Sequence, residues 1–204
     1  MANSLKRIGI FGGSFDPPHI GHLVIAELAQ RALKLDVVYF VPAYQPPHKK
    51  GSHSSTAPQR LTMTRLAVRG NSRLRVSDVE LRRKGISYTV ETIQSFRKKF
   101  PSSQLFLIIG SDSLEQFHKW KSPTEILALA SLIVYRRPRS SRVKGRTRSG
   151  SVVFIKGPLM EISSTDIRKR IEQGKSIRYL VRDNVGSFIA RKGLYSELTK
   201  EARV

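Results

Sequence analysis

Short runs of continuous apolar residues recur along this chain, each followed by a stretch in which apolar residues return every three or four positions. "KRIGIFGG" reads as a short buried strand ended by glycines, and "GHLVIAELAQRALKL" places Leu23, Ala26, Ala29 and Leu33 at helical spacing. "DVVYFVPA" (Asp36 to Ala43) is the next strand, rich in β-branched and aromatic residues. "RLTMTRLAVRG" predicts a helix closed by Gly70, "LRVSDVEL" a strand, and "TVETIQSFRKKF" a helix with Val90, Ile93 and Phe96 on one face. "QLFLIIGSD" (Gln104 to Asp112) is apolar almost throughout, as expected of a strand buried on both faces. "SLEQFHKW" and "PTEILALA" read as helical, "LIVYRRP" and "VVFIKGP" as strands, "SSTDIRKRIEQG" as a helix capped by Gly174, and "VRDNVGSFIARKGLY" as a last helical stretch. Strand then helix, repeated, predicts an α/β fold with an open parallel sheet and helices on both faces. One domain over residues 1–204 is expected, its helical portion from about residue 163 packing on the rest.

Composition narrows the chemistry. The chain has 204 residues and no cysteine, which excludes disulfides and thiolate metal sites. The longest strongly apolar stretch, "ILALASLIVY" (Ile126 to Tyr135), is too short to span a bilayer. The start lacks a signal-peptide layout, so a cytoplasmic protein without a membrane partner is expected. Thirty-seven Lys and Arg against fifteen Asp and Glu leave a net charge of +22, a balance that attracts polyanions, whether nucleic acid, anionic membrane or phosphorylated metabolites. The basic tract "RRPRSSRVKGRTR" (Arg136 to Arg148) reads as a solvated loop dispensable for chemistry. "PPHKKGSHSSTAPQ" reads as a polar surface loop that orders on a ligand.

The candidate chemistry is concentrated in "GGSFDPPHIGH" (Gly12 to His22), between the first strand and the first helix. In open α/β sheets, ligands bind outside the strand carboxyl ends. Gly12 and Gly13 let backbone approach a ligand and leave amides for an anion, and the helix start adds unpaired N–H groups. His19 and His22, three residues apart, project from one side of the first turn and make a phosphate site. Asp16 is expected to bond backbone amides of its own turn. In "ISSTDIR" (Ile162 to Arg168), Ser163 or Ser164 is a good N-cap, Asp166 sits in the first turn, and Arg168 one turn on suits a phosphate. Trp120, the only tryptophan, offers a π face for a cationic ring, and Thr89 a hydroxyl near a helix start.

These two pieces resemble the HxGH and ISSTxIR signatures of the nucleotidyltransferase superfamily, which implies a Rossmann-like fold of nucleotidyltransferase type. Intervening pieces resemble the bacterial nicotinate-nucleotide adenylyltransferases in particular: "VPAYQPPHKK", "ISYTVETI", "GSDSLEQFHKW" and the ending "YLVRDNVGSFIARKGLY". Arg182 stands where that resemblance leads one to expect a proline. The resemblance implies adenylyl transfer from ATP to nicotinate mononucleotide in NAD biosynthesis, giving deamido-NAD and pyrophosphate. It implies catalytic roles for His19, His22 and Arg168. ATP would be bound by Gly12, Gly13, Ser14, Phe15, His19, His22, Ser163, Ser164, Thr165 and Arg168. The mononucleotide would be bound by His48, Lys49, Thr89, Gly110, Asp112, Trp120 and Lys121, the last through its backbone amide. Mg²⁺ is implied as a companion held mainly by ATP oxygens and water, with no protein metal ligand; nucleic acid is not required, and oligomer formation is left open.

Three rival readings share some of these features. "HIGH" (His19 to His22) also spells the ATP signature of class I aminoacyl-tRNA synthetases, but no "KMSKS"-like loop follows. Nicotinamide mononucleotide or pantetheine phosphate could replace the acid as acceptor in a related adenylyltransferase. An RNA-binding protein would explain the charge and leave both signatures unexplained.

Overall fold

The computed structural model describes residues 6–47, 54–136, 152–158 and 160–196. His48, Lys49 and residues 137–148 of the basic tract lie outside the described residues. Six strands form one wholly parallel sheet: β1 (Arg7–Gly13), β2 (Val37–Pro42), β3 (Leu74–Val76), β4 (Gln104–Gly110), β5 (Ser131–Arg136) and β6 (Val152–Lys156), in the order β3-β2-β1-β4-β5-β6. The helices are α1 (Ile20–Ala32), α2 (Ala57–Val68), α3 (Val79–Arg83), α4 (Thr89–Lys99), α5 (Ser111–Glu115), α6 (Pro123–Leu129), α7 (Ser164–Glu172) and α8 (Asp183–Arg191), with a 3₁₀ turn at Phe117–Lys119.

β1, β2, β4 and β5 are largely apolar runs because each feeds two cores. Along β4, Leu105, Leu107 and Ile109 face the layer holding Val90, Ile93 and Phe96 of α4 and Ile126 of α6. Phe106 and Ile108 face the opposite layer, with Ala26 and Ala29 of α1. Side chains alternate across a strand, so a two-faced sheet removes the polar half of the pattern. A third apolar cluster joins Met63 and Ala67 of α2 to Ile167 of α7 and Val185, Phe188 and Ile189 of α8, docking the end of the chain beside the first signature loop.

Three elements depart from the sequence reading. The predicted strand 74–81 stops at Val76, and α3 follows. The Ser77 amide still donates to Phe40 O, after which the chain turns away at Asp78. α2 begins at Ala57 rather than Arg60, because Thr56 and Gln59 cap it reciprocally: Gln59 N donates to Thr56 Oγ1 at 3.4 Å and Thr56 N donates to Gln59 Oε1 at 2.8 Å. The segment predicted as one helix over 113–120 breaks at Gln116 into α5 and the 3₁₀ turn.

Arg182 also finds its reason here. At the N-cap of α8 it donates from Nη1 to Arg69 O at 2.7 Å, meeting a carbonyl that the end of α2 leaves without a helical partner. A proline could not do this. Among the described residues no helix is long and apolar enough to cross a membrane.

Candidate active site

The strand order reverses between β1 and β4, with β2 to one side of β1 and β5 beyond β4. At that point a cleft of about 350 Å³ opens between Gly12, Gly13 and Ser14 after β1 and Gly110 at the end of β4. No protein atom lies within 4 Å of where a Cβ would stand on Gly12 or Gly110, so both glycines front open space. This is where an open α/β sheet places its ligand.

His19 is the N-cap of α1 and His22 closes its first turn. Their rings lie 3.7 Å apart at an interplanar angle of 31°. The His19 amide donates to His22 Nδ1 at 3.2 Å, which puts the His22 ring proton on Nε2 and leaves that atom as the donor of the ring. Gly21 is needed for this stacking, because a Cβ there would stand 2.9 Å from His19 Nδ1. Two amides expected to await an anion are engaged instead: Ile20 N donates to Leu180 O at 2.9 Å and His22 N to His19 O at 3.0 Å. The imidazoles, more than the helix amides, therefore define this edge of the site. Phe15 is 1% exposed and holds a left-handed backbone at φ 51°, its ring edge-on to His22 at 5.0 Å. It can meet a ligand only through its backbone.

The second signature sits directly against the first. Ser163 is the N-cap of α7, accepting from Asp166 N at 3.1 Å. Ser164 Oγ donates to Pro17 O at 2.8 Å, and Arg168 Nη1 donates to Asp16 O at 2.7 Å. Arg168 Nη2 also reaches Thr165 Oγ1 at 3.3 Å. Hydroxyls and a guanidinium thus bond the loop that carries the two imidazoles, beyond the carboxyl end of β1, a set that suits a chain of phosphates.

Asp16 is structural, and it ties together segments distant in sequence. Only 2% exposed, it accepts from Ser54 N at 3.0 Å, from Ser55 Oγ, and from Tyr195 OH at 2.7 Å. Burial, then the Asp16 charge, pushes the Tyr195 phenol well above its ordinary range, which keeps it a donor. Tyr195→Phe is expected to cost about 1–3 kcal/mol, since a buried carboxylate would lose a donor. A melting temperature within a degree of the unmodified protein would show that the latch does not hold the loop.

Beside the cleft lies a second hollow of about 340 Å³, lined by Pro47, Thr89, Asp112, Trp120 and Lys121 among others. Thr89 opens α4, whose N-cap Tyr88 makes no side-chain cap bond. Trp120 is half-buried, its ring 5.3 Å from Phe117. The Lys121 ammonium is held by Glu91 at 2.8 Å and lies 4.2 Å over the Tyr88 ring, which leaves its backbone rather than its charge to meet a substrate.

Two groups at the site went unread in the sequence. Arg60, 1% exposed, donates to Ser14 O at 3.0 Å, Ala43 O at 2.5 Å and Tyr44 O at 3.1 Å, tying the loops after β1 and β2 together. Burial lowers its pKa, and the Asp16 charge is the first to oppose that. Glu80 lines the cleft beside Ser87 and Thr92. Nothing in the spacing of either residue distinguishes it from the surrounding polar positions.

Comparison with known proteins agrees with this geometry. The cytidylyltransferase-like family matches residues 10–170. A "probable nicotinate-nucleotide adenylyltransferase" of Salinibacter ruber is 42% identical over 189 residues, covering 92% of this chain and 97% of that protein. One of Halalkalibacterium halodurans, described in the same words, is 40% identical over 200 residues, covering 98% of this chain and 95% of that one. The fold is shared with the nicotinic acid mononucleotide adenylyltransferase of Plasmodium falciparum solved with NaAD, at a TM-score of 0.76 and 18% identity over 93% of this chain and 97% of the other. A switch-point cleft, two joined signature motifs and end-to-end relatives converge: this chain belongs to the cytidylyltransferase-like family and, within it, to the nicotinate-nucleotide adenylyltransferases.

Proposed function

We propose that the chain transfers the adenylyl group of ATP to nicotinate mononucleotide, releasing pyrophosphate and forming deamido-NAD. The observation that carries this reading is the junction of the two signatures: Ser164 and Arg168 bond the backbone of Pro17 and Asp16. That loop runs from Gly12, Gly13 and Ser14, on a cleft shared with Thr89 and Trp120, to His19 and His22. A 5′-phosphate oxygen of the mononucleotide attacks the α-phosphorus of ATP. The new P–O bond forms as the bond from the α-phosphorus to the α–β bridging oxygen breaks, and the pyrophosphate leaves with that electron pair. No protein nucleophile takes part. Catalysis is alignment of the two nucleotides together with stabilisation of charge growing on the phosphates, by His19, His22 and Arg168.

Mg²⁺ would accompany the triphosphate. Among the described residues no three His, Asp or Glu side chains gather to hold a metal, and the Asp16 oxygens are taken up by Tyr195, Ser54 and Ser55. This donor set fits an ion carried by phosphate oxygens and water. When bound it supplies charge neutralisation on the phosphates. Ser163, Thr165 and the backbone of Gly12 to Phe15 would hold the ATP side, and Gly110, Asp112 and the backbone amide of Lys121 the mononucleotide side. His48 and Lys49, outside the described residues, would join the latter.

The test is pyrophosphate release from ATP with nicotinate mononucleotide, nicotinamide mononucleotide or pantetheine phosphate as acceptor. Fastest turnover with the acid mononucleotide is expected. Equal or faster turnover with pantetheine phosphate would move the chain to another branch of the superfamily.

A further inference from the structure

Glu80 is an ionisable group that neither phosphate chemistry nor ring stacking uses, yet it is 5% exposed behind the wall that carries Thr89. Thr92 Oγ1 donates to Glu80 Oε1 at 2.5 Å, and Ser87 lines the cleft beside the same carboxyl. Ser87 Oγ accepts from Tyr44 N at 2.9 Å and Gln45 N at 3.4 Å, which leaves its proton available to the neighbouring carboxyl. The Ser87 amide donates in turn to Gln45 O at 2.8 Å, and Gln45 and Ile86 form a short parallel bridge. One carboxyl thus holds two pieces of the pocket. One is the strap after β2, which leads to Pro47. The other is the first turn of α4, gripped at Ser87 just before it and at Thr92 one turn in. The cations facing this carboxyl are Arg83 of α3 and Arg60 of α2, with Arg83 acting on it the more strongly. Burial nonetheless raises the Glu80 pKa, with the Thr92 and Ser87 hydroxyls opposing that. A carboxyl kept out of water against such a cost is one whose geometry is in use.

We propose that Glu80 is a positioning residue for the pyridine mononucleotide, gripping Ser87 and Thr92 so that Thr89 and the strap at residues 44–47 stand fixed around that substrate. The proposal rests on the assignment of the Thr89–Trp120 hollow to the mononucleotide. ATP meets other elements, so its affinity is independent of this grip.

The single tryptophan gives a direct readout, because Trp120 lines the same hollow. Nicotinate mononucleotide and ATP are titrated separately against Trp120 fluorescence and by calorimetry, and KM and kcat are measured for both. Glu80→Ala is expected to weaken the mononucleotide, in Kd and KM, about tenfold or more, the loss of bonds to a charged group. Its Kd for ATP should stay within twofold, and kcat at saturation within a few-fold. Glu80→Gln keeps an acceptor oxygen for Thr92 Oγ1 and a polar group beside Ser87, so both arms persist and this variant should stay within a few-fold of the unmodified protein. Equal weakening of both nucleotides by Glu80→Ala would show a merely structural role and overturn the proposal. So would unchanged mononucleotide affinity, or a Glu80→Gln as impaired as the alanine variant. Should Glu80→Ala fail to fold, Ser87→Ala and Thr92→Val each release one arm, and each must weaken the mononucleotide selectively for the proposal to stand. An unmodified protein that binds the mononucleotide without releasing pyrophosphate would sink the adenylyl-transfer reading while leaving Glu80 to be judged by binding. One that binds no pyridine mononucleotide would sink both.

Discussion

His22→Ala is expected to lower kcat by about 10²–10³, with KM for the mononucleotide changed by no more than a few-fold. The asymmetry follows from when the interaction matters. Charge accumulates on the α-phosphate and on the departing pyrophosphate only as the bonds exchange, so a donor aimed there acts in the transition state rather than in binding. The His19 amide fixes His22 Nδ1 as an acceptor, and Nε2 is then the atom that can donate to a phosphate. The alanine variant also loses that N-terminal bond of α1, so a modest fall in melting temperature should accompany the kinetic loss. His19→Ala should behave similarly, as the stacked partner of His22. Steady-state rates on both variants decide the matter. If kcat is unaffected in each while circular dichroism shows an intact fold, phosphate stabilisation by these imidazoles is wrong.

The acid mononucleotide should be preferred over its amide by several powers of ten in kcat/KM, because the two differ in one carboxylate against one carboxamide. Thr89 supplies a hydroxyl at the first residue of α4, where no side chain competes for the cap. The ammonium of Lys121 is committed to Glu91, so recognition falls to hydroxyl and amide donors. Donors suit a carboxylate, whereas a carboxamide brings its own NH₂ against at least one of them. Thr89→Val should therefore compress the acid-to-amide ratio. Trp120→Ala should raise KM for both forms about tenfold or more, since stacking ignores the substituent. Parallel kinetics with the two mononucleotides measure each effect. An unmodified protein indifferent to the substituent would contradict this account of the pocket.

Much of the scaffold was legible because local pattern and tertiary role coincide in it. The apolar runs of β1, β2, β4 and β5 require burial on both faces, and the 3.6-residue rhythm of α1 and α4 needs only one core-facing stripe. β3 was over-read, because Val79 and Leu81 follow closely as apolar residues, although Ser77 and Asp78 shift the alternation by one position where the chain turns into α3. The start of α2 was missed although "STAPQ" carries its capping residues, because the polar loop around it hides the period. At the site, Ser164 and Arg168 bond the loop that leads to His19 and His22, so the two motifs lie side by side. The positions of Arg60 and Glu80 could not be read that way. Each is polar in a polar neighbourhood, and only three-dimensional enclosure gives it a task. The bonds of Asp16 to Ser55 and Tyr195 were not legible either, since those residues approach it only when distant segments meet.

The stitching of the first signature to the end of the chain bears on when this protein becomes active during its own synthesis. Ser164 reaches Pro17 across 147 positions, Arg168 reaches Asp16 across 152, and Tyr195 reaches Asp16 across 179. Contacts that span so much of the sequence close late, after the loops between them have been ordered. A ribosome-bound chain lacking α7 and α8 could already pair β1 with β2 and β4, yet its phosphate cradle would have one side. A protease cutting between β6 and α7 would have the same effect on the finished molecule, leaving the sheet largely intact and the cradle loose. Catalytic competence therefore waits on α7, α8 and Tyr195, and truncations that remove them should silence the enzyme before they unfold the sheet.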